Sequence, residues 1–129
     1  MSKILVVDDE PMVLNLVRTL LWRQGRQVLV AGGGRLAIDM FKEERPDMTI
    51  LDLNMPDMNG LEVLKRIRAI NPCAQVMVFT GAGTEAEERQ ARALGVTEFL
   101  RKGTDRLILA NRAQANQPAP GGGRVAVAG

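Results

Sequence analysis

Five short, mainly apolar runs alternate along this chain with longer amphipathic stretches, and that alternation restricts the fold more than any other feature. The runs are Ile4 to Val7, Val28 to Ala31, Met48 to Leu51, Gln75 to Phe79 and Thr97 to Arg101. Short runs rich in branched residues suit strands buried on both faces. Strands that alternate with helices imply a parallel sheet covered on its two sides, joined by right-handed crossovers. The expected architecture is therefore a doubly wound α/β three-layer sandwich.

The intervening stretches carry helix signals. Pro11 to Gln24 places Leu14, Val17, Leu20 and Leu21 on one face, with Pro11 in the first turn and Gly25 as a left-handed stop. A turn at Gly32-Gly33-Gly34 precedes a helix from Arg35 to Glu44, which Pro46-Asp47 ends. Leu61 to Ile70 is a third helix, with Leu61, Leu64, Ile67 and Arg68 in helical phase and Asn71-Pro72 after it. Thr84 and Glu87 form a capping-box pattern for a helix to Leu94, and Gly95 stops it. Thr104 or Asp105 is a cap for a fifth helix, whose apolar stripe of Leu107, Ile108 and Ala110 is thin. One domain is expected over residues 2–113. Residues 114–129, with Pro118, Pro120 and Gly121 to Gly123, read as a disordered tail.

Composition narrows the chemistry. The chain has no histidine, which excludes histidine triads, histidine metal ligands and histidine phosphotransfer within it. A single cysteine, Cys73, excludes an internal disulfide and fits a reducing, cytoplasmic setting. It is expected as a small buried or edge residue opening the fourth strand. The formal net charge is +2, with no basic run or aromatic-basic interleaving, so direct nucleic-acid binding is not expected. The first apolar run is too short for a membrane span or a signal peptide.

Polar residues collect where the strands end. The first run leads into Asp8-Asp9, the third into Asp52 with Asn54 two residues later, the fourth into Thr80 and the fifth into Lys102. In open α/β sheets the carboxyl ends of the strands form the site, and the first, third, fourth and fifth strands are neighbours in a doubly wound sheet. Gathered carboxylates repel one another unless a cation joins them. Carboxylates with a backbone carbonyl and waters suit Mg²⁺. An ammonium, a hydroxyl and a metal around one carboxylate make a cradle for a phosphoryl group, with the carboxylate as nucleophile. Gly81 leaves space beside it.

Several of these stretches together resemble the receiver domain of two-component response regulators. They are Ile4-Leu5-Val6-Val7-Asp8-Asp9-Glu10, Asp52-Leu53-Asn54-Met55-Pro56-Asp57-Met58-Asn59-Gly60, Phe79-Thr80-Gly81 and Phe99-Leu100-Arg101-Lys102. The resemblance runs from about Ser2 to about Ala113. It implies a flavodoxin-like, chemotaxis-regulator-like fold with strand order 2-1-3-4-5 and five helices. Asp52 would be the phosphoacceptor, charged by a sensor histidine kinase with Mg²⁺. Asp9 and Asp52 would be direct metal ligands with the Asn54 carbonyl, and Asp8 would act through a metal-bound water. Thr80 and Lys102 would hold the phosphoryl oxygens, and Thr80 with Phe99 would form the switch. The output face would lie on the fourth helix, fifth strand and fifth helix, open to a downstream protein or a second copy. Gly103 stands where such domains usually carry proline. Asn54 and Ala82 fall at positions that tune phosphoryl lifetime.

Plainer roles accompany these. Trp22, Met55 and Met58 are read as packing residues, and Phe99 as a partly buried hydrophobe. Two other classes share some of the pattern. One is a receiver-like scaffold that binds partners without switching. The other is a Mg²⁺-dependent phosphatase with an aspartyl nucleophile, which usually needs a second acid where this chain has Asn54.

Overall fold

A computed structural model describes residues 2–81 and 83–103. Its strands are β1 (Lys3–Val7), β2 (Gln27–Ala31), β3 (Met48–Leu51), β4 (Gln75–Thr80) and β5 (Glu98–Arg101). All neighbours pair in parallel, in the order β2-β1-β3-β4-β5. The helices are α1 (Pro11–Trp22), α2 (Gly34–Glu44), α3 (Gly60–Ile70) and α4 (Glu85–Ala93). The expected fifth helix and tail lie outside the described residues.

Strand alternation splits the core in two. Ile4, Val6, Met48, Ile50, Met77, Phe79 and Leu100 face α1, where Val17 and Leu21 meet them. Leu5, Val7, Leu51, Val76, Val78 and Phe99 face α2, α3 and α4. Burial on both sides explains why the central strands β1, β3 and β4 read as nearly continuous apolar runs, whereas the edge strands β2 and β5 are only partly buried.

Element ends follow local chemistry. Gly25 and Gly95 take φ of +77° and +82° beyond α1 and α4. Thr84 and Glu87 form both halves of the capping box. Helix α2 ends one residue before the proline, on Arg45 at φ +47°. Two expectations are corrected. Trp22 is 73 % exposed; it follows the buried Leu21 by one residue, about 100° around the helix, and so points away from the sheet. Cys73 is exposed, because its amide bonds the Asn71 side chain in a turn and the strand starts only at Gln75.

Two long-range ties hold helix ends. The Asp57 carboxylate accepts from the Gly34 and Arg35 amides at 3.0 and 3.2 Å, capping α2 from a loop 23 and 22 residues away. These bonds hold its pKa below the usual carboxylate range. Arg68 on α3 donates to the Leu94, Ala74 and Gly95 carbonyls, joining α3 to the end of α4 and the start of β4.

Candidate functional site

The site follows from continuing the strands. Asp8, Asp52 and Lys102 come one residue after β1, β3 and β5, and the sheet ladder extends to each. The Asp8 amide donates to the Ala31 carbonyl, the Asp52 amide to Val7 and the Lys102 amide to Thr80, at 3.1, 2.9 and 3.0 Å. All three continue the parity of the face under α1. The backbone bond to Thr80 places Lys102 although Gly103, not proline, follows it. No cis peptide bond occurs among the described residues.

The side chains converge. The Lys102 ammonium lies 2.7 Å from Asp8, 2.7 Å from Glu10 and 3.4 Å from Asp52. Asp8 and Asp52 are buried. Burial raises the pKa of Asp8; bonds from Lys102 and the Glu10 amide oppose this, the Asp52 charge adds to it, and the net shift is upward. Lys102 feels burial in the opposite sense, but Asp8, Glu10 and Asp52 outweigh it and raise its pKa above the usual lysine range. Lys102 also draws the exposed Glu10 carboxylate below its usual pKa. One ammonium thus serves three carboxylates and leaves local negative charge.

That charge and donor set fit a divalent cation. Asp8, Glu10 and Asp52 each offer an oxygen, all within 4.8 Å of one another. Octahedral Mg²⁺ at about 2.1 Å from its ligands needs oxygens roughly 3 to 4 Å apart, so small side-chain movements suffice. Glu10 was not singled out from sequence; its position after the paired aspartates was the only available signal. Asp9, expected as a direct ligand, is exposed and lies outside this group.

The remaining expected residues form an adjoining arm. The Asn54 amide nitrogen donates to the Thr80 hydroxyl at 3.1 Å, and the Asn54 backbone N–H to the Asp52 carboxylate at 3.2 Å. Thr80 is fully buried, and Phe99 is 4 % exposed. The Phe99 ring lies inward beside Gly83, where a methyl group would sit 2.6 Å from the ring and 2.9 Å from the Thr80 methyl. Arg101 covers the ring at 5.2 Å and reaches Glu88 on α4 at 3.2 Å. Ala82 lies outside the described residues.

Gly60 closes the loop after Asp52. A methyl there would meet the Leu53 Cα and sit 2.5 Å from the Asp52 carbonyl oxygen. Its amide donates to the Leu53 carbonyl at 2.9 Å. Met55 is buried and Met58 packs against the same core. The motif Asp-x-x-Met-Pro-x-Met-x-Gly is thus a loop folded tightly back beneath its acid, with Asp57 holding α2.

A doubly wound sheet with buried carboxylates, a lysine and a hydroxyl at its carboxyl edge defines a signalling domain of the phosphoacceptor class. The family model for the response regulator receiver domain matches residues 4–114, and the chain belongs to that family. It is 33 % identical over 104 residues to sporulation initiation phosphotransferase F of Bacillus subtilis, covering 81 % of this chain and 84 % of that one. It is 32 % identical over 102 residues to the chemotaxis protein CheY of Thermotoga maritima, covering 78 % and 85 %. The structure of the response regulator TrrA from Thermotoga maritima, in complex with Mg²⁺-BeF, superposes with a TM-score of 0.81 at 29 % identity, covering 91 % and 100 %. Among longer relatives, two transcriptional regulatory proteins of Mycobacterium tuberculosis, the chain spans 42 % and 39 % of their length. No helix among the described residues is long and apolar enough to cross a membrane.

Proposed function

We propose that Asp52 accepts a phosphoryl group from a sensor histidine kinase and that the domain passes its state to a partner protein. The observation that carries this is a buried carboxylate with a lysine ammonium at 3.4 Å and a second buried acid beside it, at the open edge of the sheet. Asp52 and Asp8, which belong to the acid group, and Asp9 and the Asn54 carbonyl, which lie outside it, are the proposed holders of Mg²⁺, with Glu10 engaged by Lys102. When bound, the metal supplies positive charge against the anionic donor and the growing charge on the transferred group. Lys102 binds one phosphoryl oxygen. Thr80 donates its hydroxyl to another and in doing so gives up its bond from Asn54. Phe99 reports that movement to the face formed by α4 and β5, where a downstream protein or a second copy docks.

The test is nuclear magnetic resonance mapping with Mg²⁺ and beryllofluoride or acetyl phosphate. Shifts are expected around Asp52, Thr80, Phe99 and α4, and none in Asp52→Asn. An equal response in that variant would refute the assignment.

A second reading, a constitutive binding module, draws support from the Phe99 ring already seated inward under Arg101. It predicts partner binding that is the same for wild type and Asp52→Asn, with or without phosphodonor.

A further inference from the structure

Glu10 stands at the N-cap of α1, in extended conformation, with its amide held by the Asp8 carboxylate at 2.9 Å. An acid there can bond the free amides of the first helical turn. This one makes no such cap. Its carboxylate instead crosses the mouth of the pocket to Lys102 at 2.7 Å, closer than Asp52 at 3.4 Å. Glu10 is 60 % exposed at its side chain, whereas Lys102 is 12 % exposed. Among the described residues, Glu10 is the solvent-facing member of the acid group Asp8, Glu10 and Asp52 around this ammonium.

We infer that Glu10 is a positioning residue that holds Lys102 toward the end of β1 and sets how readily the ammonium reaches a phosphoryl group on Asp52. The inference rests on the assignment of Asp52 as acceptor. Before transfer, Lys102 is shared between Asp8 and Glu10. After transfer, the acyl phosphate carries about two negative charges and outcompetes a single carboxylate for the ammonium. Glu10 then returns to water at little cost, because it is already exposed. It resists phosphorylation through its grip on Lys102 and through its charge, which repels an anionic donor.

Acetyl phosphate with Mg²⁺ tests this without a kinase. A carboxylate oxygen of Asp52 forms the new bond to phosphorus while the phosphorus–oxygen bond to acetate breaks. Acetate leaves as an anion and no proton is transferred. Glu10→Gln is expected to form acyl phosphate about two- to five-fold faster than wild type at subsaturating donor, the range for a partly exposed ion pair. Glu10→Asp keeps the charge but shortens the reach; it is expected to fall between wild type and Glu10→Gln. A wild-type rate in Glu10→Asp with a fast Glu10→Gln would show charge alone and overturn positioning. A wild-type rate in Glu10→Gln would overturn both effects.

A measurement on the unsubstituted protein stands beside these. A hydrogen-bond scalar coupling between Lys102 Nζ and Glu10 Cδ is expected, to be lost on adding beryllofluoride. A coupling to Asp52 alone would refute the inference. If wild type takes up no phosphoryl group on Asp52, the acceptor assignment itself fails. If it does and Glu10→Gln matches it, only the role of Glu10 fails.

Discussion

Gly83→Ala tests how tightly Phe99 is seated beside Thr80. The added methyl would lie 2.6 and 2.8 Å from two atoms of the Phe99 ring and 2.9 Å from the Thr80 methyl. Such overlaps cannot persist, and the Thr80 backbone is fixed by its pairing with Arg101 in β5 and by the Lys102 amide bond to its carbonyl. The ring is the part that can leave. Swinging outward exposes a phenyl that is now 4 % exposed, which costs about 1.5–3 kcal/mol in transfer free energy. It also gives up the Arg101 contact, worth roughly 0.5–1 kcal/mol at a partly exposed site. If the ring stays, overpacking costs about 1–3 kcal/mol. In urea unfolding the outward route predicts a loss of about 2–4 kcal/mol and the overpacked route about 1–3 kcal/mol. The outward route adds a change in Phe99 ring shifts and greater solvent access at Arg101. The carboxylates and Lys102 lie on the other face of the sheet, so any change in acyl phosphate formation at Asp52 should come through Thr80, which the methyl also approaches. A stability loss below about 0.5 kcal/mol with unchanged ring shifts would refute the packing argument.

Three other substitutions probe the frame of the site. Gly60→Ala drives a methyl into the backbone of Asp52 and Leu53; it should destabilise by about 1–3 kcal/mol or more, measured by urea unfolding, and slow acyl phosphate formation. Asp57→Ala should speed hydrogen exchange at the Gly34 and Arg35 amides. The folded-state pKa of Asp57 is lowered, so its contribution is present above the unfolded value of about 3.9 and is lost as pH falls through the folded value. An acid titration of stability should therefore be shallower in this variant below about pH 4. Asp8→Asn should raise the melting temperature at neutral pH and reduce the further rise on adding Mg²⁺. The folded pKa of Asp8 is raised, so its favourable contribution is present at low pH and lost as pH rises through that value. A fall in melting temperature would show that the Lys102 pairing outweighs burial.

Legibility in the sequence differed by the range of the interaction. The capping box at Thr84 and Glu87 spans three residues, and both bonds form. The central parallel strands could be read because burial on both faces leaves nearly uninterrupted apolar runs. Asp52, Thr80 and Lys102 could be placed at one edge because each directly ends or follows a strand. The side chain of Glu10 could not be placed, since only its contact with Lys102, 92 residues away, brings it into the site. The capping role of Asp57 has no local signal, because its carboxylate reaches amides 23 and 22 residues away. Trp22 was misread because its apolar character suggested packing, although one step beyond Leu21 turns it to solvent.

The sequence by itself determined the α/β class, the strand-end acids, the lysine and the motif that marks a receiver, because these depend on local periodicity and on parity along each strand. Only the tertiary structure decided which carboxylates share the Lys102 ammonium and that Arg101 covers Phe99. It also decided that Gly60 and Gly83 stand where backbone or ring leaves no room for a side chain. Those outcomes depend on distances across the sheet and between loops. Such distances are fixed when the two halves of the core close, and no spacing along the chain encodes them.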